Sequence, residues 1–187
     1  MKSVFIGGSR RIGRVNAELA RRLDNIIQTE LRVLIGDANG FDRAAQAYLA
    51  EHGYKAVVVY CTAGECRNNV GSWPQRAVEY QGRDRGLAFY TAKDDAMLRD
   101  ADYGLFAWDA KSRGTLRNIG IMGEHGKPSA VYIGPLKKFI TVRSAQDALT
   151  LSRKQDAGGA RSADLFTDKW QNETEKAQLL VNGNVKG

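Results

Sequence analysis

The sequence predicts an α/β fold: a Rossmann-like, doubly wound, mostly parallel sheet in a single domain with a C-terminal extension. Three observations carry this reading. Apolar runs of strand length alternate with helical periodicity in the order β-α-β-α-β, joined by short links. The run 56–60 is continuously apolar and Val-rich, as suits a parallel strand covered on both faces. Glycine-rich turns follow the first two strands and open into helix starts, where open α/β sheets bind ligands.

The first strand spans 3–6 and ends in Gly7-Gly8-Ser9-Arg10. A helix is expected over about 11–28, because Ile12, Val15, Leu19 and Leu23, with Ile26 and Ile27, fit one face. The second strand, 31–35, runs into the turn Gly36-Asp37-Ala38-Asn39-Gly40. Asp42 then suits an N-cap or first-turn acid for a helix over 41–52, which Gly53 stops. After the third strand, residues 61–85 show no clean periodicity, and a loop of that length is usually functional or irregular. Residues 87–90 read as a short strand, and Thr91 as the cap of a helix over 92–101 with Asp94 and Asp95 in its first turn. A strand at 103–108 leads through the turn 109–115 to a helix over 115–125, in which Leu116, Ile119 and Met122 share helical spacing. The strand 129–133, the turn Gly134-Pro135 and a hairpin arm at 138–142 follow. Ser144 caps a last helix to about residue 153. Residues 1–153 thus form the α/β domain and 154–187 the extension, with a linker-like 156–162 and an amphipathic helix expected over 165–180.

Composition narrows the function classes. The 187 residues are 43% hydrophobic, and no run approaches the roughly 18 apolar residues of a membrane span. The chain goes directly into a strand-like run, with no signal-peptide pattern, so a cytoplasmic protein is expected. Cys61 and Cys66 are expected as reduced thiols, and with only His52 and His125 beside them no metal site is predicted. The net charge is +7, of which the six bases and five acids from Arg153 onward contribute +1. The remaining +6 on the body suits nucleic acid or anionic small molecules, or a solvated surface of dispersed bases.

Four turns stand at the carboxyl ends of parallel strands and therefore face one side: Gly7-Gly8-Ser9-Arg10, Gly36 to Gly40, the loop 61–71, and Ser112-Arg113-Gly114-Thr115. Gly7, Gly8, Ser9, Gly36, Gly114 and Thr115 bring glycines and hydroxyls to helix starts, which suits a phosphate. Arg10, Arg67 and Arg113 add planar donors for phosphate or carboxylate, and Asn68 adjoins Arg67. Asp37 and Asp42 bring carboxylates to the same edge, with helix capping as the competing role for Asp42. The first turn lacks the dinucleotide glycine spacing and the Gly-Lys-Ser/Thr of a P-loop.

Gly-Gly-Ser-Arg, then Gly-Asp-Ala-Asn-Gly-Phe-Asp-Arg, then Arg67-Asn68-Asn69, then Arg113-Gly114-Thr115 resemble, in that order, the SLOG superfamily. This is the Rossmann-like group of the DNA-processing Smf proteins and the Lonely Guy enzymes, and the pattern is most similar to its YspA-like branch. The resemblance covers about residues 1–133. It implies a nucleotide or ribosyl-phosphate ligand across the strand ends, with phosphate at Gly114-Thr115, no cofactor, and a homodimer. Lonely Guy enzymes hydrolyse the N-glycosidic bond of nucleoside 5′-monophosphates using a glutamate whose position here is Asn118. An amide cannot serve as a carboxylate base. The candidate catalytic groups are therefore Asp37, Asp42 and Arg113. A non-catalytic sensor of a nucleotide or ADP-ribose derivative is the first alternative. Single-stranded nucleic-acid binding, as in the DNA-processing members, is the second.

Overall fold

The computed structural model describes residues 1–64, 66–82 and 86–156. The fold class is as predicted. Strands β1 (Ser3–Gly8), β2 (Arg32–Gly36), β3 (Val57–Thr62), β4 (Gln75–Val78), β5 (Tyr103–Trp108), β6 (Ser129–Ile133) and β7 (Lys138–Val142) form one seven-stranded sheet. Its order is β4-β3-β2-β1-β5-β6-β7. Every pairing is parallel except β6 with β7, which a 3-10 turn at Gly134–Leu136 joins as an antiparallel arm. Helices α1 (Ala17–Gln28) and α2 (Phe41–Glu51) cover one face, with a core of Val4, Ile6, Leu19, Leu23, Val33 and Ile35. Helices α3 (Leu87–Asp100), α4 (Arg113–Glu124) and α5 (Ala145–Asp156) cover the other, around Phe5, Leu34, Met97, Phe106, Ile119 and Met122. Strands buried on both faces explain the continuous apolar runs read from the sequence.

Chain order reverses between β1 and β5, with β2 on one side of β1 and β5 on the other. The crevice at such a switch point is where open α/β sheets take ligands.

Four expectations are corrected. Helix α1 begins at Ala17, because Asn16 accepts the Leu19 N–H at 3.0 Å and caps it there. Residues 9–16 are loop, although Ile12 and Val15 still pack on the core. Residues 87–90 are the first turn of α3 and not a strand, so Thr91 lies inside that helix. The irregular stretch contains β4, an exposed edge strand anchored where Arg76 Nη1 meets Asp100 Oδ2 at 2.5 Å and the Tyr60 hydroxyl at 3.1 Å. Finally, Cys61 and Cys66 are joined as a disulfide with Cα atoms 5.2 Å apart, where reduced thiols were expected.

Ser144 caps α5 as expected: its hydroxyl accepts the Asp147 N–H at 3.2 Å, and Asp147 Oδ2 accepts the Ser144 N–H at 3.2 Å. The expected linker beyond Asp156, the amphipathic helix at 165–180, and Arg83 and Arg85 of the irregular stretch lie outside the described residues. No helix among the described residues is long and apolar enough to cross a membrane.

Candidate functional site at the carboxyl edge

The turns at the carboxyl ends of β1, β2, β3 and β5 meet as predicted, and their backbones interlock. The Ser9 N–H donates to Ala107 O at 2.8 Å, and the Phe41 N–H donates to Ser9 O at 3.2 Å. Gly40 is the N-cap of α2, with φ +85° and no side-chain cap. A Cβ there would press on the backbone of Arg10. The first two turns are therefore in direct backbone contact, which only glycine at position 40 permits.

Gly7 and Gly8 lie inside the sheet, paired with Phe106 and Ala107, so the exposed part of the first turn begins at Ser9. The Ser9 side chain is buried. Its oxygen accepts the Arg11 N–H at 3.1 Å and its hydroxyl bonds the Asp109 carboxylate. Asp109 also accepts the Lys111 and Ser112 N–H groups at 3.1 and 2.7 Å. Burial opposes the charge on Asp109, but these donors outweigh it and hold the carboxyl below its usual range. Ser112 caps α4: its hydroxyl oxygen accepts from the Thr115 N–H at 3.4 Å and from the Thr115 hydroxyl at 3.0 Å. Thr115 is thereby buried in the cap, while Arg113 and Gly114 are exposed at the helix start.

Asp37 is buried at the end of β2 and receives three bonds from Arg67: Nε and the backbone N–H on Oδ2 at 2.9 and 3.1 Å, and Nη2 on Oδ1 at 2.8 Å. Burial pushes against its charge, yet the Arg67 donors, with Lys93 and Arg67 charge, keep it below the ordinary carboxylate value. Asn68 Nδ2 donates to Asp37 O at 2.7 Å and to Asn39 Oδ1 at 3.1 Å. Gln46 adds Nε2 to Gly36 O at 2.8 Å and accepts the Val70 N–H at 3.0 Å. Asp37, Asn68 and Gln46 thus fasten the β3 loop to the β2 turn, and Arg67 stays half-exposed on top. Replacing Asp37 by alanine is expected to destabilise the fold by about 2 kcal/mol, the scale of lost hydrogen bonds to a charged group. Because this carboxyl is depressed, its contribution is complete above the unfolded carboxylate value of about 4 and is lost as pH falls through the lower folded value. Urea titrations at pH 7 and pH 3 test both: the gap between wild type and variant should narrow at the lower pH.

Asp42 does not cap α2 with its side chain. Its carboxylate turns back to accept the Ala38 N–H at 3.3 Å and is buried at the end of β2, beside Gly36. A Cβ at Gly36 would meet Asp42 Oδ2 at 2.5 Å and Lys93 Nζ at 3.0 Å, so that glycine makes room for both groups. Desolvation, with like charge on Asp94 and Asp37, pushes the Asp42 carboxyl up to about 7 against the pull of Lys93. Lys93 is itself buried. Burial disfavours its charge, but Asp94, then Asp42, hold it above the ordinary lysine value. Lys93 Nζ reaches Asp94 Oδ1 at 2.8 Å, and Asn118 Nδ2 reaches Asp94 Oδ2 at 3.0 Å.

Sequence reasoning missed Lys93 and took Asp94 only as a helix-dipole partner, because the helix was expected to start near residue 92. A signal existed: Lys93 stands four residues before Met97, on the same helical face as that fully buried side chain. Tyr90 was also missed. It is exposed, with the Arg10 guanidinium 5.5 Å from its ring centre. A groove of about 360 Å³ between α3 and α4, lined by Asp95, Leu98, Arg99, Ile121, His125 and Lys127, lies toward the opposite edge, and no predicted site residue lines it. Among the described residues no cluster of His, Cys, Asp and Glu could hold a metal.

No protein-family model matches the chain, and no curated protein matches it. Two solved structures share its fold. One is DNA processing protein A from Helicobacter pylori, described for its unique single-stranded DNA binding mode. It is 16% identical with a TM-score of 0.54, over 82% of this chain and 73% of that one. The other is DNA processing protein A from Streptococcus pneumoniae, 19% identical with a TM-score of 0.53, over 80% of this chain and 61% of that one. The likeness shows the Rossmann-like α/β fold.

Proposed function

We propose that this chain binds single-stranded nucleic acid across the carboxyl edge of its sheet. The observation that carries the reading is what the edge exposes. Arg10, Arg67, Lys111 and Arg113 are exposed on adjacent turns, and Tyr90 stands beside Arg10. Asp37 is meanwhile held by Arg67, Asp42 is buried beside Gly36 and Lys93, and Asp109 accepts backbone N–H groups. Exposed arginines with an aromatic ring suit phosphates flanking a stackable base. The fold shared with DNA processing protein A supports the reading, since the Helicobacter pylori protein binds single-stranded DNA.

The test is fluorescence anisotropy of a labelled single-stranded oligonucleotide over a salt series. The Arg10→Glu/Arg113→Glu double variant should bind about tenfold or more weakly at low salt, with a log–log salt slope shallower by about 2. Arg143→Glu, exposed at the opposite edge, serves as the control. Equal losses in both variants, or no binding by wild type at low salt, would sink the proposal.

A second reading has its own support. It is a nucleotide or ribosyl-phosphate site that hydrolyses an N-glycosidic bond, with Gly8, Ser9, Gly114 and Thr115 at the phosphate, Arg67 and Arg113 for charge, and Asp37 or Asp42 for ribose or water. The Asp42 carboxyl, held at about 7 beside Lys93, has the poise of a general acid or base at neutral pH. Release of free base from a nucleotide panel, abolished in Asp42→Asn, is the expected result of this reading. Ligand-induced thermal stabilisation without any product would instead favour a non-catalytic sensor.

A further inference from the structure

The chain's two cysteines close one small loop at this edge. Cys61 is the fifth residue of β3, 1% exposed, paired in register with Ala77. Cys66 lies across the turn, partly exposed, and immediately precedes Arg67. The turn between them carries Ala63 at φ +48° and Gly64 at φ +113°, both exposed. The two residues thus differ in surroundings: Cys61 is buried within the sheet, while Cys66 is partly exposed, with its Sγ 3.9 Å from Val59 O and Arg67 following it in the chain.

We propose that Cys66 is a thiol-exchange site for low-molecular-weight thiols of the glutathione type, and that its modification weakens the binding edge through Arg67. The second half rests on the nucleic-acid reading above. An incoming thiolate attacks the sulfur of the partly exposed Cys66 and forms a new S–S bond there. The Cys61–Cys66 bond breaks, and its electron pair leaves on Cys61 Sγ, which takes up a proton. A second thiolate then attacks the mixed disulfide, releasing the oxidised small-molecule disulfide and leaving the Cys66 thiolate. The balance is one protein disulfide and two thiols giving one protein dithiol and one small disulfide. Cys66 is partly exposed and Cys61 is 1% exposed, so a thiolate from solvent attacks at Cys66 and exchange has a direction. The intermediate carries a tripeptide with two carboxylates on the residue next to Arg67. There it competes with a polyanion for that cation.

The experiment begins with the oxidised protein, treated with glutathione, quenched and alkylated, then mapped by peptide mass. Species with one adduct should carry it on Cys66 and the alkyl group on Cys61. Cys61→Ser treated with oxidised glutathione should accumulate the Cys66 adduct, while Cys66→Ser should give none on Cys61. Thermal melting establishes that each variant is folded. The adduct form of Cys61→Ser should bind single-stranded oligonucleotide about tenfold more weakly than its unmodified form, the scale of one charge-assisted contact, and dithiothreitol should restore it. Complete alkylation of both cysteines without any thiol, adducts on Cys61, or unchanged affinity of the adduct would each overturn the proposal. Failure of the unmodified protein to bind the oligonucleotide would instead overturn the nucleic-acid reading, and the mass map would still decide whether Cys66 is the exchange site.

Discussion

Gly40→Ala is expected to be the most damaging single replacement at the edge, lowering stability by about 3 kcal/mol or more. Two costs combine. Position 40 has φ +85° and ψ −128°, a conformation that L side chains rarely adopt, at roughly 1–2 kcal/mol. The added methyl would also lie against the Arg10 backbone, which is no flexible side-chain tip, and overpacking of that kind costs about 1–3 kcal/mol. Relief requires the β1 and β2 turns to separate, which breaks the Phe41 N–H bond to Ser9 O. Oligonucleotide binding should therefore fall together with stability. The check is urea denaturation beside Gly53→Ala, where φ is also positive but the added methyl meets open space. If the two variants lose the same amount, the contact between turns is not what position 40 protects.

The second large effect is on pH dependence. The Asp42 carboxyl is raised from an unfolded value of 3.8 to about 7 in the fold. The folded state therefore holds a proton that the unfolded state has released. Its stabilising contribution is complete below about pH 4, falls as pH rises, and is gone once pH has passed about 7. A shift of that size corresponds to a few kcal/mol. Asp42→Asn keeps an oxygen for the Ala38 N–H and cannot ionise. It should match wild type near pH 4.5 and exceed it in melting temperature at pH 8. The Asp37–Arg67 pair acts in the opposite direction and only at lower pH, so the two contributions separate along the pH axis. Parallel melting curves for wild type and Asp42→Asn from pH 4.5 to 8 would show that Asp42 is not a buried titrating group.

What the sequence made legible follows from which constraints are local. Strands β5, β6 and β7 match their predicted bounds residue for residue, because apolar runs bounded by turn residues leave little freedom. Strand β4 left no pattern because it is a short edge strand with three of its four residues exposed. The start of α1 was misplaced because Ile12 and Val15 keep helical spacing with Leu19 while packing from a loop. The start of α3 was misplaced because Phe89 and Tyr90 have strand propensity that the tertiary fold overrides. The glycines and arginines of the edge were legible, since a turn's chemistry is written in the turn. The partners of Asp37 and Asp42 were not. Arg67 and Lys93 come from 30 and 51 positions away, and only the crossover topology brings them back. The disulfide was equally invisible, because two cysteines five positions apart say nothing about whether the loop folds back on itself.

The interlocked turns have a kinetic consequence. Ser9 is hydrogen-bonded to Ala107, Phe41 to Ser9, and Ala63 to Val78, so the backbone at these turns is already in place before anything binds. A ligand landing there orders few main-chain torsions and forfeits little conformational entropy. Encounter is then governed by diffusion and by the charge of the arginines. Preference among ligands falls to residence time, with dissociation rates varying across sequences far more than association rates.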